Sequence, residues 1–458
     1  MLLHHEAHKF WEEWIAGWNM DATAVVPPAF IALVVFAWVW DPAAVTSTLA
    51  MFVAFSPIWL PVYLGVILYI TWIHYVRYKF WFSREKGLLE IQLPAEVTKS
   101  PAAMEIFLSS IWTTGGETTF MNRILQGGYK ATWSLEIASN EGRISFYIWG
   151  LKVWHPAIEA RIYGQFPEAK VTPVDDYTTK VPFNLDEYDI WGGEYTKSPG
   201  NPEAKNQAAP IKTYIDFELD KNTDTPETKT DPLTNVFELM NNVGKDQYLW
   251  YQIIIKAHNS FEWYGFPEKK DHYKEGGRAK IKELMLGAAK RAGEVLQASD
   301  IVDGKMNALL TEGERDIIKG IEHAFTKNPY EVGMRILYIA KKEKFHGIWG
   351  AYLFRLMQVF KSGGNSLGGR PGRGLIRFDY PWEDFMGIRE GVIKRLLFFH
   401  YKYRAYFGVP YDQQPSVMST EEVATLWHFP YSSVKTPGLN RVPSTTSEAP
   451  SNLPTLPQ

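Results

Sequence analysis

The stretch Thr132-Trp-Ser-Leu-Glu-Ile-Ala-Ser-Asn-Glu-Gly-Arg-Ile-Ser-Phe-Tyr-Ile148 carries the clearest fold signal in this chain. Apolar and polar residues alternate on both sides of its centre, which is the period of a half-buried β-strand. Residues 139–142, Ser-Asn-Glu-Gly, lie between the two alternating runs and favour a turn. The stretch therefore predicts a β-hairpin.

The segments around the hairpin extend it into a unit of six elements. A strand is predicted at residues 88–93, and Ser100-Pro101 then begins a helix. After the hairpin, His155-Pro156 begins a second helix, and residues 170–174 are a short last strand. The order strand, helix, strand, strand, helix, strand predicts a ferredoxin-like unit over residues 87–196.

The same order is predicted a second time, which makes the fold class α+β. A linker rich in Pro, Gly and Asn at residues 197–210 leads into a second ferredoxin-like unit at 211–430. This unit carries a long helical insert, 267–328, and a closing helix, 386–407, which we expect to pack on the sheet. Its strands are predicted at 212–219, 247–255, 330–339 and 375–380, its two helices from Asp231-Pro232 and from His346, and the insert helices near 279–297 and 311–327.

Two uncharged stretches predict a membrane anchor at residues 21–76. One has 19 residues, 22–40, and the other has 35 residues, 42–76, with only Asp41 between them. An ionised side chain is costly in hydrocarbon, so these stretches favour a two-helix transmembrane hairpin over a buried soluble one. The residues expected at the membrane surfaces are Trp38, Trp40, Trp59, Trp72, Arg77 and Lys79.

The flanks of the predicted hairpin give its orientation. Arg77, Lys79, Arg84 and Lys86 follow the second stretch, so the positive-inside rule keeps the rest of the chain in the cytoplasm, at a bacterial inner membrane. Residues 1–20 predict an interfacial amphipathic helix. In that segment His4 and His8 have a metal-compatible spacing but lack further ligands.

Composition limits the chemistry of the chain. The 458 residues contain no cysteine, which excludes disulfides, thiolate metal sites and cysteine nucleophiles. A net charge of -3 means that any DNA contact has to be local. There is no G-x-x-x-x-G-K-[ST] and no G-x-S-x-G motif. We therefore predict no catalytic residue, no cofactor and no metal, and a chain that is not an enzyme.

Two basic segments are the candidates for phosphate or nucleic-acid contact. The Gly-rich run at 363–374 offers Arg370 and Arg373 to phosphates, or is a plain mobile connection. The start of the insert has two interpretations: a surface that faces DNA or an acidic partner, or a solvated helical face. Its basic residues in this interpretation are Lys280, Lys282, Lys290 and Arg291.

Composition alone predicts the character of two further segments. The acidic residues between 175 and 194 could bind a cation, but a solvated charged loop is favoured. Residues 431–458 are rich in Pro, Ser and Thr and cannot bury enough surface to offset the entropy of ordering, so we predict a disordered tail.

Several phrases resemble a family of bacterial proteins of otherwise unknown function. The family is tied to type IV secretion and conjugation-like DNA transport and is frequent in genome-reduced candidate-phylum bacteria. The phrases are Leu88-Leu-Glu-Ile-Gln-Leu-Pro-Ala-Glu-Val97, Ser100-Pro-Ala-Ala-Met-Glu105, Trp133-Ser-Leu-Glu-Ile137, Ile158-Glu-Ala-Arg-Ile-Tyr-Gly-Gln-Phe-Pro167, Ser419-Thr-Glu-Glu-Val-Ala-Thr-Leu-Trp-His-Phe-Pro430 and Val434-Lys-Thr-Pro437.

The resemblance implies the membrane-anchored N-terminal region of a HerA/FtsK-like coupling protein. No ATP-binding motif is present in this chain, so the expected partners are the lipid bilayer and a translocating ATPase in trans. A ring-shaped homo-oligomer is expected on the resemblance alone. The predicted function is a non-catalytic platform for DNA transport. A stand-alone envelope scaffold and a membrane-tethered enzyme remain as alternatives.

Overall fold

The computed structural model describes residues 22–94, 97, 99–115, 119–198, 204–221, 231–258, 271–292, 309–370, 384, 387–407, 411, 413–430 and 436–441. The chain divides into two compact units. We call Met1–Tyr78 with Arg377–Val392 the anchor unit, and Lys79–Ile376 with Ile393–Gln458 the body. The predicted interfacial helix at residues 1–20 lies outside the described residues.

The anchor unit contains apolar helices. They are α1 (Ala22–Trp40), α2 (Pro42–Ala54) and most of α3 (Ser56–Ser83). Asp41 caps α2 by accepting a hydrogen bond from the backbone N–H of Ala44 at 2.9 Å. Among the described helices, α3 with its 28 residues is the one long and apolar enough to cross a membrane.

The predicted second span is divided into two helices. The stretch 42–76 predicts one span with its core at roughly 49–73, in which Pro57 and Pro61 either produce a kink or mark the entry, and in the structure α2 ends at Ala54 and α3 begins at Ser56. The cause is Pro57, because a proline lacks the N–H that a continuous helix needs and its ring clashes with the carbonyl four residues earlier. Among the described residues, the structure therefore has one helix of spanning length and two shorter apolar helices, Ala29–Trp40 and Pro42–Ala54, and not a clear two-helix hairpin.

The first half of the body has the predicted order of elements. Its strands pair antiparallel in the sheet order β4-β1-β3-β2. The elements are β1 (Lys86–Gln92), α4 (Pro101–Ile111), the short α5 (Phe120–Ile124), β2 (Thr132–Asn140), β3 (Arg143–Leu151), α6 (His155–Gln165) and β4 (Lys170–Val174).

The predicted hairpin is formed by β2 and β3, which pair over seven residue pairs. Its two-residue turn has φ of 55° at Glu141 and 90° at Gly142. Positive φ at both positions characterises the tight turns whose twist matches that of the flanking strands. The Glu-Gly sequence therefore fixes the register of the hairpin.

The second half of the body repeats the order. Its sheet order, read from the edge, is β8-β5-β7-β6, so the two halves have equivalent strand positions. The elements are β5 (Tyr188–Lys197), the short α7 (Ala204–Gln207), α8 (Thr234–Asn241), β6 (Gln247–Ala257), the insert helices α9 (His272–Ala292) and α10 (Glu312–Phe325), β7 (Pro329–Lys341), α11 (Ile348–Leu356) and β8 (Leu367–Gly369).

The first strand of the second half is not the predicted one. Residues 212–213 have no regular structure and 214–220 form turns, because side chains bind their backbone: the N–H of Thr213 donates to Asp216 at 2.7 Å and that of Tyr214 to Thr425 at 2.9 Å. The first strand of the second half is β5 (Tyr188–Lys197). It overlaps the acidic segment 175–194, which composition predicted to be a solvated loop. The predicted last strand, 375–380, lies outside the described residues, and the last strand of this half among the described residues is β8 at 367–369.

The two halves join through their second strands. β2 and β6 pair antiparallel over nine residue pairs, from Thr132↔Lys256 to Asn140↔Tyr248. The result is one continuous antiparallel sheet in a mixed α/β body. We call the β2–β6 pairing the seam.

The C-terminal part of the chain closes the body. It contains α12 (Ile388–Lys402), β9 (Ser416–Ser419), which pairs with the start of β7, and α13 (Thr420–Leu426). Part of the predicted tail is bonded to the sheet, because the N–H of Leu93 donates to Asn440 and the N–H of Ile144 donates to Gly438. Residues 431–435 and 442–458 lie outside the described residues.

The sheet is covered on both faces. The larger core contains Leu135 and Ile253 from the sheet together with Phe107 of α4, Met240 of α8 and Trp427 after α13. The other face packs against α12, which contributes Leu397 and Tyr401 beside Trp250. The closing helix therefore packs on the sheet as its mixed faces predicted.

Candidate functional site

A row of polar residues crosses the sheet on the face that α12 covers. Pairing of neighbouring strands places Thr172, Glu90, Tyr147, Glu136, Gln252, Arg335 and Glu194 side by side, one from each of seven strands. Side chains at directly opposed positions of neighbouring strands share a face of the sheet. We call this set the polar row. Its last four members, from Glu136 to Glu194, are at most 2% exposed.

Glu136 is the centre of the first buried cluster. Its carboxylate accepts hydrogen bonds from Ser134 at 2.6 Å, Gln252 at 2.9 Å and the hydroxyl of Tyr177 at 2.8 Å. Arg404 adds two parallel bonds, from Nε at 2.9 Å and from Nη2 at 3.0 Å. A bidentate pair of this kind is the strongest match between a guanidinium and a carboxylate.

Arg404 reaches the sheet from the turn that follows α12. Its φ of 50° is left-handed, a conformation that costs a non-glycine residue about 1–2 kcal/mol. The same guanidinium contacts Asp176, with Nη2 3.2 Å from Oδ1. Burial alone would raise the pKa of Asp176, but the charge and hydrogen bonds of Arg404 lower it below its usual value. The two carboxylates thus hold Arg404 in a strained backbone position.

Two tyrosines close the Glu136 cluster. The hydroxyls of Tyr177 and Tyr401 lie 2.8 Å apart, and the ring of Tyr401 stacks on Trp250 at 5.2 Å. Burial, and next the charge of Glu136, raises the pKa of both tyrosines well above 10. The tyrosines therefore stay neutral and donate hydrogen bonds at any physiological pH.

Arg335 and Glu194 form the second cluster of the row. Nη2 of Arg335 lies 4.0 Å from Oε1 of Glu194 and donates to the carbonyl of Ala405 at 2.6 Å. Tyr411 donates to Glu194 at 2.8 Å. The guanidinium also lies 5.4 Å from the centre of the Tyr406 ring, within the range of a cation–π contact.

Arg370, one of the predicted phosphate contacts, belongs to this second cluster. Its backbone N–H donates to the carbonyl of Glu194 at 2.8 Å, and its Nη2 donates to the hydroxyl of Tyr406 at 3.2 Å.

Burial, and next the charge of Arg335, lowers the pKa of nearby His400 to about 4, so this histidine is neutral.

The two clusters have complementary charge. The first contains two carboxylates and one guanidinium (Glu136, Asp176, Arg404), and the second contains one carboxylate and two guanidiniums (Glu194, Arg335, Arg370). Gln252 stands between Glu136 and Arg335 in the row. Because buried charges need close partners, the row favours the observed register of the seam over any shifted one.

The second cluster is less well satisfied than the first. Among the described residues, three of its buried side-chain atoms have no hydrogen-bond partner: Oε2 of Glu194, Nε of Arg335 and Nε of Arg370. A buried polar atom without a partner costs about 1–3 kcal/mol. This end of the row is therefore the weaker one.

A third ionic group fixes the start of the insert. Lys256 lies 2.6 Å from Glu331, whose other oxygen is 3.3 Å from Nδ1 of His258. Nε2 of His258 is 3.4 Å from Asp271, the residue before α9. Burial acts to raise the pKa of Glu331, but the charge of Lys256 lowers it to about 2. Ion pairs thus connect α9 to the sheet.

The C-terminal segment is held by a fourth group. Glu422 and Lys197 form a fully buried ion pair at 2.9 Å, and Glu422 also accepts the N–H of Ile211 at 3.0 Å. The side chains of Ser419 and Glu422 satisfy each other's backbone N–H in a capping box that begins α13. His428 lies 3.3 Å from Asp231, before α8. This segment is a structural part of the second half.

The remaining predicted contact residues lie on another element. Lys280, Lys282, Lys290 and Arg291 are on the insert helix α9. Lys280 pairs with Glu283 at 3.3 Å, and Arg291 contacts Glu314 of α10 at 2.6 Å. Lys282 and Lys290 are exposed. Arg370 lies in the second cluster of the polar row and not on α9, and Arg373 lies outside the described residues.

The predicted membrane-surface residues lie on α1 and α3. Trp38, Trp40 and Trp72 are exposed, and Trp59 is half-buried with its Nε1 donating to the carbonyl of Phe52 at 3.0 Å. Arg77 and Lys79 lie in the last turns of α3.

The described residues contain no group of three or more His, Asp or Glu side chains that could hold a metal ion. His4 and His8 lie outside that part of the chain.

Sequence reasoning did not select the polar row. Strand periodicity assigns Glu136 to a polar face, and only the packing of α12 turns that face inward. Arg335 had a usable signal, because it is the one charged residue in the apolar run 332–340. No family model matches the chain, and no curated protein matches it.

Proposed function

We propose that this chain is a membrane-anchored, non-catalytic platform on which other components assemble. The observation that carries the proposal is the junction between α3 and β1. The 28-residue apolar helix ends at Ser83 and β1 begins at Lys86, so only Arg84 and Glu85 separate them. Two residues span at most about 7 Å, which keeps the start of β1 near the end of α3.

The orientation and the second span are part of the same proposal. Arg77, Lys79, Arg84 and Lys86 surround the junction, which supports a cytoplasmic body at a bacterial inner membrane. The exposed aromatic residues of α1 support a second crossing, with α1 as its core. Together α1 and α3 would form the two-helix transmembrane hairpin.

We further propose that the body consists of two ferredoxin-like units joined edge to edge. The support is the element order of each half and the sheet order 4-1-3-2, which holds for both. Both halves also place a short 3₁₀ turn before the second helix, Lys152–Trp154 before α6 and Lys342–Lys344 before α11. Repeated units of this kind suit a rigid assembly platform.

The proposed apparatus is a type IV secretion-like DNA transporter with a separate HerA/FtsK-like ATPase. The support is the resemblance, whose phrases fall on β1, α4, β2, α6 and the segment from Ser419 to Pro430. In this proposal, residues 442–458 tether the motor and raise its local concentration at the membrane. A homo-oligomeric ring is the expected assembly.

The test is an affinity pull-down of the full chain in mild detergent, followed by mass spectrometry for P-loop ATPases. A variant that lacks residues 442–458 tests the tether, and a variant with the same residues in scrambled order is its matched control. We expect the ATPase to be recovered with the native tail and lost with both variants. Recovery of envelope components without any ATPase would favour a stand-alone envelope scaffold and overturn the motor platform.

The orientation has a separate test. The chain contains no cysteine, so Val153→Cys, at a 79% exposed position, reacts uniquely with a membrane-impermeant maleimide. We expect labelling in inverted membrane vesicles and none in intact spheroplasts. Labelling of spheroplasts would reverse the proposed orientation.

A further inference from the structure

Helix α12 has an apolar stripe that is exposed in the part of the chain that the structure describes. Leu397 and Tyr401 face the sheet and are buried. The opposite face carries large apolar side chains at helical spacing, all between 42% and 63% exposed. These are Ile388, Val392, Leu396 and Phe399 of α12 and Tyr403 in the turn that follows it.

The charges of α12 identify what fits this stripe. Arg389 and Arg395 are exposed beside it, and Lys402 follows at its end. Glu390 is the only acidic residue of the helix. An apolar stripe bordered by cations matches the interface of an anionic lipid bilayer, where apolar side chains enter the acyl boundary and cations meet headgroups. A second copy of the helix would bring like charges together.

Within the body, the segment that follows α12 is linked to the last turn of α3. The carbonyl of Phe407, beyond the C-terminal end of α12, accepts a hydrogen bond from Tyr129 at 2.7 Å. The ring of Tyr129 in turn contacts Trp81, in the last turn of α3, at 5.7 Å.

We propose that α12 is an interfacial helix that lies on the anionic cytoplasmic surface of the membrane through Ile388, Val392, Leu396, Phe399 and Tyr403. This proposal rests on the proposed membrane anchoring of α3. It adds a second lipid contact, which fixes the orientation of the body at the bilayer. The body would then present the face opposite α12, with α4, α8 and α13, to the cytoplasm.

The test uses the full chain in lipid nanodiscs with single cysteines carrying an environment-sensitive fluorophore. Leu396→Cys reports on the stripe, and Leu68→Cys reports on α3. Quenchers are placed on lipids either near the headgroup or deep in the acyl chain. For Leu396→Cys we expect at least about twofold stronger quenching by the shallow probe, because interfacial helices enter only about 5–10 Å. Leu68→Cys should favour the deep probe.

Lipid charge and a charge reversal complete the test. Quenching at Leu396→Cys should fall in purely zwitterionic nanodiscs and with Arg395→Glu added, while Arg395→Lys retains it. Thermal melts check that each variant is folded. Quenching at Leu68→Cys without quenching at Leu396→Cys would overturn the interfacial helix and leave the anchor intact. Absence of quenching at both positions would overturn the anchor itself.

Discussion

At the scale of single residues, the body depends on charges that are buried and matched. Arg404 binds Glu136 through two hydrogen bonds, and both side chains are almost fully buried. Such a pair gains little net stability compared with apolar residues of the same volume, but the loss of one partner leaves a buried charge uncompensated. The main effect of the pair is therefore the stability that the protein loses when either partner is removed.

Arg404→Met removes one partner of this pair. We expect the free energy of unfolding to fall by about 3–5 kcal/mol, because Glu136 is left charged and buried. The double variant Glu136→Gln/Arg404→Met should recover a large part of the loss, and Arg143→Met, at an exposed position, should change little. Thermal melts by circular dichroism measure all three. If Arg404→Met alone were as stable as the parent protein, the matched-charge interpretation would be contradicted.

Gly333 allows the ring of Tyr406 to lie against β7. A Cβ at this position would stand 2.5 Å from the ring, so Gly333→Ala should cost about 1–3 kcal/mol through overpacking. The matched control is Gly164→Ala in α6, where nothing lies within 4 Å. That change should stabilise the protein by about 0.5–1 kcal/mol. Equal melting temperatures for the two variants would contradict the close contact.

At the scale of elements, local chemistry predicted some parts and long-range contacts decided the others. The β2–β3 hairpin was predictable because alternation and a Glu-Gly turn lie within seventeen residues. β5 was not, because its Gly192-Gly193 pair and flanking charges resemble a loop. It becomes a strand through pairing with β7, more than a hundred residues later. The polar row has the same origin, since its members meet only through strand pairing.

The insert helix α9 should respond to pH through His258. Burial acts to lower the pKa of His258, but hydrogen bonds to Asp271 and Glu331 raise it above 6.5. Protonated His258 therefore stabilises the fold fully below about pH 6.5, and this stabilisation is lost as the pH rises through the folded pKa. We expect His258→Gln to lower the melting temperature more at about pH 6 than at about pH 8.5. An equal drop in melting temperature at the two pH values would contradict this ionic contact.

At the scale of the whole molecule, the seam makes one sheet of two halves. Nine residue pairs between β2 and β6 tie the halves together, and the core on the larger face continues across them. Because strands in one sheet and one core lose their contacts together, the body should unfold as one cooperative unit.

A substitution in one half should therefore weaken the other. A Cβ at Gly150 would lie 2.4 Å from the ring of Trp133, so we expect Gly150→Ala to destabilise the first half. Hydrogen exchange followed by mass spectrometry should then show faster exchange in β7 of the second half as well as in β3. Gly347→Ala, with nothing within 4 Å of its Cβ, is the control. Faster exchange restricted to the first half would show that the halves unfold separately.

The seam also removes an exposed edge from each half. In a lone half, β2 would be a nine-residue edge strand with unpaired N–H and C=O groups, and such an edge recruits another strand. A lone half could meet this need only by pairing with another chain, in an association that depends on concentration. In the intact chain β6 is covalently linked, so the same pairing is intramolecular. Either half, expressed by itself, should accordingly form a dimer or aggregate.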